Sequence, residues 1–243
     1  YMLKLLSVNI KWDLFTERIL DLIAKEQPDV LCLQEVLDRD LPAIERAFGA
    51  TMHFVPMVRI PGHNLRVKES ALMGIAIGSK YPLTHICVTP YAQYHDGTAL
   101  SEDEEVTPYN RLLLSGVITA GGEDYRIATT HFTWTPHGFP DARQERDLAK
   151  LLPLLADLGD FVLCGDLNAP RGMATFAALA ERYRDNIPPE YTTSIDPDLH
   201  RLKGSKQLMI DGLFSTPEYR SSDVALLFGV THPAAIRAQL DRV

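Results

Sequence analysis

Four apolar runs in this chain each end in a side chain able to bind a cation, a phosphate or a proton. Leu3–Asn9 closes on an amide, and Val30-Leu31-Cys32-Leu33-Gln34-Glu35 on an amide and a carboxylate. Ile127–His131 closes on an imidazole. Val162-Leu163-Cys164-Gly165-Asp166-Leu167-Asn168 closes on a carboxylate and an amide. Short, nearly continuous apolar runs of this kind read as strands buried on both faces. A fifth cluster is Met209-Ile210-Asp211-Gly212, and a sixth, Gly229-Val230-Thr231-His232-Pro233, opens the last strand.

Around these runs, strand and helix signals alternate early and strands predominate later. Asp13 is placed to cap a helix whose apolar positions Phe15, Ile19, Leu22 and Ile23 share one face, and Pro28-Asp29 ends it. Leu41–Phe48 is a short helix closed by Gly49. Ala142–Leu158 is a longer one with Pro153 as a candidate kink, and Ala174–Glu181 is a third. His53–Val58, Leu72–Gly78, His85–Tyr91, Leu208–Phe214, Ala225–Gly229 and Ala235–Leu240 read as strands. Leu112–Ala120 and Tyr125–His131 flank Gly121-Gly122-Glu123-Asp124, a hairpin signal. The expected fold class is α/β, two packed sheets with helices outside, and the length fits one large domain or two small ones. Hairpins speak against a purely parallel doubly wound sheet, and no G-x-G-x-x-G supports a dinucleotide fold.

Composition removes whole classes. At 243 residues, 46% hydrophobic and 23% charged, the chain is too apolar to be disordered and has no run long enough to cross a membrane. The 24 Lys and Arg against 32 Asp and Glu give −8, which excludes a broad DNA-coating surface. Four acidic residues, Glu102-Asp103-Glu104-Glu105, lie together in the irregular stretch Ala92–Asn110, the element expected to repel or select a substrate. A second irregular stretch is Arg184–Lys206. Cys32, Cys87 and Cys164 are an odd number in apolar stretches, which reads as small buried hydrophobes in a reducing, cytoplasmic setting. No signal peptide is visible; Met2 reads as the natural start, with Tyr1 an added residue.

Taken one at a time, the polar strand ends have ordinary readings: turn, cap, solvated carboxylate or hydrogen-bonded core histidine. Gly165-Asp166-Leu167-Asn168 is sharper. Glycine permits close approach, and Asp and Asn two apart on an extended segment point to one side. Two oxygen-bearing side chains there suit a hard cation, a phosphate or a nucleophilic water.

In order along the chain, Ser7-Val8-Asn9-Ile10, Leu33-Gln34-Glu35-Val36, Thr130-His131-Phe132, Gly165-Asp166-Leu167-Asn168-Ala169, Ile210-Asp211-Gly212-Leu213-Phe214 and Thr231-His232-Pro233 resemble the endonuclease/exonuclease/phosphatase superfamily, small bacterial-type members included. The resemblance implies a single catalytic domain over 1–243 with a DNase I-like, four-layer α/β sandwich: two mixed β-sheets packed face to face with helices outside. It implies a metal-dependent phosphoesterase cleaving a phosphodiester by in-line attack of activated water, with Mg²⁺ as cofactor and Mn²⁺ as substitute. Glu35 is implied as the main metal carboxylate with Asn9 beside it, directly or through water. Asp166 is implied to orient or deprotonate the water, and Asn168 to hold a phosphate oxygen or assist the metal. His232 is implied to contact the phosphate or act as base, with Asp211 orienting it and raising its pKa, and His131 to face the scissile phosphate.

Two positions depart from the family pattern. Val230-Thr231-His232 stands where Ser-Asp-His is usual, which leaves a weakened or non-catalytic binding module as the alternative. Lys11 stands where abasic-site endonucleases carry an Asp after the first Asn, which argues against that branch. Inositol-polyphosphate 5-phosphatase signatures are not seen. Arg111 falls where DNase-like members hold a phosphate-contacting Arg; an Arg solvated at a strand start is the competing reading. Glu69 is weighed as a partner of His131 against a surface Glu. Tyr91, Tyr94 and His95 are weighed as a stacking platform against loop packing, Arg143 and Arg146 as solvated on a helix face, and Lys203 and Lys206 as phosphate contacts. The partner is a phosphoester; nucleic acid stays open, an extended duplex is not favoured, nothing marks a membrane segment, and oligomeric state is not readable.

Overall fold

The apolar runs pair into two sheets of six strands. The structure, a computed structural model, describes residues 1–62, 69–94, 109–200 and 204–243. The acidic run at 102–105, His95 and Lys203 lie outside the described residues. The first sheet has the order β11(Tyr219–Leu227), β12(Ala235–Arg242), β1(Leu3–Asn9), β2(Val30–Leu37), β4(Ala71–Ser79), β3(Met52–Ile60). The second has the order β5(Leu83–Tyr94), β6(Tyr109–Ala120), β7(Glu123–Thr130), β8(Val162–Asp166), β10(Asp211–Ser215), β9(Arg184–Asp185). Each sheet holds one parallel pair, β1 with β2 and β7 with β8, among antiparallel neighbours, so both are mixed. Those two pairs carry the four apolar runs whose ends turn polar, and their C-terminal ends bring Asn9, Glu35, His131 and Asp166 together.

Four layers follow from where the apolar side chains go. Leu5, Val30, Cys32, Ile75 and Ile77 of the first sheet share a core with Leu114, Tyr125, Ile127, Cys164 and Leu213 of the second. The other face of the first sheet, with Leu6, Val8, Leu31 and Leu33, packs on α1(Thr16–Glu26) and α2(Leu41–Phe48) through Ile19, Ile23, Ile44 and Phe48. The outer face of the second sheet packs on α3(Ala142–Asp157) and α4(Ala174–Ala180) through Leu151, Leu155, Phe176 and Leu179. Because β1, β2, β7 and β8 are covered on both sides over most of their length, apolar residues follow one another there with few interruptions, hence the runs. The α/β sandwich expected from the sequence is the fold.

Several local expectations change. Asp13 does not cap α1; the helix begins after Phe15 with no side-chain cap, and the Asp13 carboxylate pairs instead with Arg39. As expected, α1 stops just before Pro28: Glu26 is its last residue and Gln27, in a left-handed conformation, caps it with its N–H on the Ile23 carbonyl at 2.9 Å. Pro153 is exposed and α3 runs through it from Ala142 to Asp157. Cys32 and Cys164 are buried between the sheets, but Cys87 is exposed. It lies on β5, the edge of the second sheet, where Ile86 and Val88 are exposed too. No helix among the described residues is long and apolar enough to cross a membrane.

Candidate active site

The first sheet delivers Asn9, Lys11 and Glu35. Asn9 is the last residue of β1 and is in register with Gln34. Between Leu33 and Val36 the pairing of β2 with β4 slips, and Glu35 takes φ of 54°. A bulge of this kind re-aims one side chain at the rim of a sheet. Gln34 stays inside, its Nε2 donating to Thr129 Oγ1 at 3.0 Å and Ser7 Oγ at 3.4 Å, so it ties the two sheets directly beneath the site. Beyond Asn9 the chain turns sharply, with Lys11 at φ 55° and Trp12 at 63°. Successive left-handed residues of this kind cost roughly 1–2 kcal/mol each. They are held by Ile10 N–H on the Gln34 carbonyl, Trp12 N–H on the Glu35 carbonyl and Lys11 N–H on Asn9 Oδ1, while the Trp12 ring anchors in the inter-sheet core. The turn sets the Lys11 ammonium 3.4 Å from Glu35 Oε2.

The second sheet delivers His131, Asp166, Asn168 and Asp211. β7 and β8 are parallel, and Phe132 N–H donates to the Asp166 carbonyl at 2.9 Å, which fixes His131 beside Asp166. Gly165, at φ 145°, lets the two strands close up: a Cβ there would lie 2.2 Å from the Thr130 carbonyl oxygen. Asn168 is not on an extended segment. The strand ends at Asp166, whose Oδ1 accepts the Asn168 N–H at 2.9 Å, and Asn168 sits at φ 47° with its Nδ2 donating to the Phe132 carbonyl at 3.0 Å. Asp211 opens β10 directly opposite Asp166.

Across the cleft, Asn9 Nδ2 donates to Glu35 Oε1 at 2.9 Å and to Asp166 Oδ2 at 3.0 Å, bridging one carboxylate from each sheet. His131 Nε2 is 3.9 Å from both of those oxygens. Arg111 is buried, stacks over Tyr109 and donates from Nη1 to the His131 carbonyl at 3.0 Å, so the reading of Arg111 as a solvated strand-start residue does not hold. On the opposite rim, His232 lies in the connection between β11 and β12. Its carbonyl accepts Asp196 N–H at 2.8 Å, and its ring meets that of His200 at 5.1 Å between centroids.

The electrostatics separate these groups. Burial alone would raise Glu35, but Lys11 beside it and the Asn9 amide hold its carboxyl down at about 2. Asp166 is raised to about 6, first by burial and further by Glu35, against the opposing Asn9 and Asn168 N–H bonds. Burial, then Arg111, depresses His131 to about 3; burial, then Lys11, does the same for His232. Both imidazoles are therefore neutral at pH 7, and Lys11 is the cation that keeps Glu35 ionised. Asp211 is pushed well above the usual carboxylate range by burial and by Asp166.

Asn9, Glu35, His131 and Asp166 thus converge, with Arg111 and Asn168 tied to the backbone on either side of Phe132. One expectation is corrected. Asp211 makes no hydrogen bond to His232: its Oδ2 is buried without a partner, its N–H donates to Ser194 Oγ at 3.2 Å, and its nearest acid is Asp166. Accordingly His232 has a lowered pKa, where an Asp–His pair would raise it. Asn9 faces the carboxylates with its nitrogen, its oxygen being taken by Lys11 N–H, so here it orders the carboxylates as a donor. Glu69 is exposed and does not reach His131; its carbonyl accepts Arg39 Nη1. Tyr91 is buried, bonded to Thr130 Oγ1 and packed on Phe132, and Tyr94 bonds Asp147, so both pack rather than form an open platform. Thr231 is wholly buried with an unpartnered Oγ1. Sequence reading missed the contribution of Lys11, and it missed His200 and Ser194. Only Lys11 had a signal, its place two residues beyond Asn9.

Among the described residues no three His, Cys, Asp or Glu side chains converge as a complete metal shell. The donor set nevertheless suits a hard cation. Mg²⁺ is commonly held by one or two carboxylates with water and substrate phosphate completing the octahedron, and Glu35 Oε2 already holds a cation, the Lys11 ammonium.

The family model of the endonuclease/exonuclease/phosphatase family matches residues 6–235. No curated protein matches the chain. Among solved structures, an endonuclease/exonuclease/phosphatase from Beutenbergia cavernae DSM 12333 superposes with a TM-score of 0.74 at 18% identity, covering 99% of this chain and 72% of that one. A mannosyl-6-phosphatase from Bacteroides thetaiotaomicron VPI-5482 gives 0.67 at 12%, covering 98% and 99%. ANGEL2, described as a 2′,3′-cyclic phosphatase in complex with adenosine-2′,3′-vanadate, gives 0.67 at 14%, covering 99% and 95%. At these identities the likeness speaks to the fold. With the family model spanning all six motif segments from Asn9 to His232, the chain belongs to the endonuclease/exonuclease/phosphatase family.

Proposed function

We propose that this chain hydrolyses a phosphodiester, nuclease-like or small-molecule, by in-line attack of water activated at Asp166, with Mg²⁺ as cofactor and Mn²⁺ as substitute. The observation that carries the reading is the pairing of two carboxylates of opposite character through one amide. Glu35 is held ionised and Asp166 is raised to about 6, close to where a general base works best near neutral pH. Glu35 would hold the cation, which when bound neutralises charge developing on the phosphate oxygens. Asp166 Oδ2 orients the attacking water and takes its proton. His131, neutral and within 3.9 Å of both carboxylates, presents an imidazole to a phosphate oxygen lying between them. His232 approaches from the other rim, also neutral, and Arg111 supplies fixed positive charge behind His131. Asn168 holds the Asp166 carboxylate through its N–H. Asp211, opposite Asp166 and raised by burial and by that carboxylate, serves as its protonated neighbour.

Two structural relatives bear names that place a phosphate ester at such a fold, a sugar phosphate in one and a cyclic phosphate in the other. The second reading, a non-catalytic binding module, has the buried Thr231 as its motive. It is less well supported because Glu35, Asp166 and His131 converge, with Asn9 bridging the two carboxylates and His131 3.9 Å from each. The test is a panel of bis-p-nitrophenyl phosphate, p-nitrophenyl phosphate, glycerophosphodiesters and a single-stranded oligonucleotide with Mg²⁺, Mn²⁺ or EDTA. The expected result is cation-dependent diester turnover that Asp166→Ala abolishes. No turnover of any ester, or turnover that Asp166→Ala leaves intact, would overturn the proposal.

A further inference from the structure

Among the described residues Lys11 is the one cation in ion-pair contact with the Glu35 carboxylate, the neutral His131 imidazole aside, and the backbone is strained to put it there. Its ammonium is 3.4 Å from Glu35 Oε2, and its charge is felt at Asp166, His131 and His232 as well. The other Glu35 oxygen is already taken by Asn9. Two consecutive left-handed residues, Lys11 and Trp12, hold the base of the side chain while its tip remains partly open to solvent. Strain of this kind persists where surrounding structure over-determines it, and it gathers at functional sites. A lysine there is a compact charge on a flexible stem with three donors, able to change partners without moving its backbone.

We propose that Lys11 is a phosphate-binding residue: it pairs with Glu35 in the unliganded site and turns its ammonium onto a non-bridging oxygen of the substrate phosphate when a divalent cation takes Glu35. This rests on the phosphoesterase reading. A cation reaching Glu35 Oε2 must displace the ammonium, and the two positive charges then repel across a few ångströms. An anionic phosphate between them removes that repulsion. Lys11 therefore opposes cation binding alone and favours cation and phosphate together, so that each ligand strengthens the other by the same factor.

The test uses the full chain without turnover: Mn²⁺ binding followed by electron paramagnetic resonance, and inorganic phosphate binding followed by calorimetry with and without Mn²⁺. Lys11→Met keeps the stem and removes the charge; Lys11→Arg keeps the charge. The expected result is Mn²⁺ bound severalfold more tightly by Lys11→Met than by wild type, with phosphate in the presence of Mn²⁺ bound about tenfold more weakly. Lys11→Arg is expected to restore phosphate binding to within about threefold of wild type. In turnover, Lys11→Met should raise KM more than it lowers kcat. Circular dichroism confirms folding, and Lys11→Gln replaces Lys11→Met if the latter does not fold. Phosphate affinity unchanged in the charge-removed variant would overturn the proposal and leave Lys11 as a counter-ion of Glu35 alone. Absence of diester turnover in wild type would sink the phosphoesterase reading separately, since the two titrations do not depend on it.

Discussion

Substituting Gly165 by Ala tests how the two sheets hold the site, because the added methyl group lands between β7 and β8 one residue before both His131 and Asp166. The Cβ would lie 2.2 Å from the Thr130 carbonyl oxygen, whereas ordinary contact begins at 3.4 Å, so backbone must move by at least 3.4 − 2.2 = 1.2 Å. The obstacle is backbone of a neighbouring strand, which cannot rotate away as a side chain tip would. Overpacking of this kind costs about 1–3 kcal/mol. A non-glycine residue at φ 145° adds about 1–3 kcal/mol of strain. A displacement near 1 Å at catalytic groups costs on the order of a hundredfold in rate. The assay is kcat/KM on bis-p-nitrophenyl phosphate with saturating Mn²⁺, beside the urea midpoint. The expected result is a midpoint that falls and a kcat/KM that drops by about two orders of magnitude in protein that remains folded. Gly122→Ala is the control. It sits at φ 85° in the β6–β7 turn with nothing near its Cβ, and should cost about 1 kcal/mol and leave kcat/KM unchanged. Kinetics of Gly165→Ala within about twofold of wild type would show that the spacing of β7 and β8 does not set the site.

Two further outcomes follow from the charges. Asp166 must be deprotonated to act as base, so kcat/KM should be flat above about pH 6 and fall as pH drops through it; a bound cation moves that limb only lower, and a limb well above pH 6 would contradict the assignment. Glu26 is buried, yet Lys4 at 3.0 Å and Arg237 at 3.7 Å hold its pKa below the ordinary 4.5. Its stabilisation is present above the unfolded value and is lost as pH falls through the folded one. Glu26→Gln should therefore lower the urea midpoint at neutral pH, and the difference from wild type should shrink at pH below 4.5; a constant difference would show that packing rather than charge is involved.

The architecture was legible because burial on both faces forces continuous apolar runs, and four such runs stand out at Leu3, Val30, Ile127 and Val162. Their polar ends were legible for the same reason: a carboxylate at the end of a mostly apolar run needs its own explanation. Backbone conformation was not legible. The bulge that re-aims Glu35, the left-handed turn that swings Lys11 inward and the turn at Asn168 depend on pairing between strands distant in sequence, and none of these residues is a glycine that would have signalled a positive φ. The same blindness explains Asp211. Its position in the motif suggested His232 as partner, but register sets it against Asp166, and register belongs to the sheet rather than to the segment. For Arg111 the sequence left a phosphate contact and a solvated strand-start residue side by side, because its burial depends on His131, a neighbour in space that is distant in sequence, as well as on Tyr109.

In the proposed reaction Asp166 is the base that activates water beside Glu35. Single-turnover hydrolysis of bis-p-nitrophenyl phosphate by Asp166→Asn, an isosteric amide unable to accept the proton, tests it most directly. With Mn²⁺ binding and the urea midpoint verified unchanged, the account predicts a rate lower by roughly two to four orders of magnitude and the loss of the limb near pH 6. A rate close to wild type, with that limb intact, would place the base elsewhere and contradict the central claim.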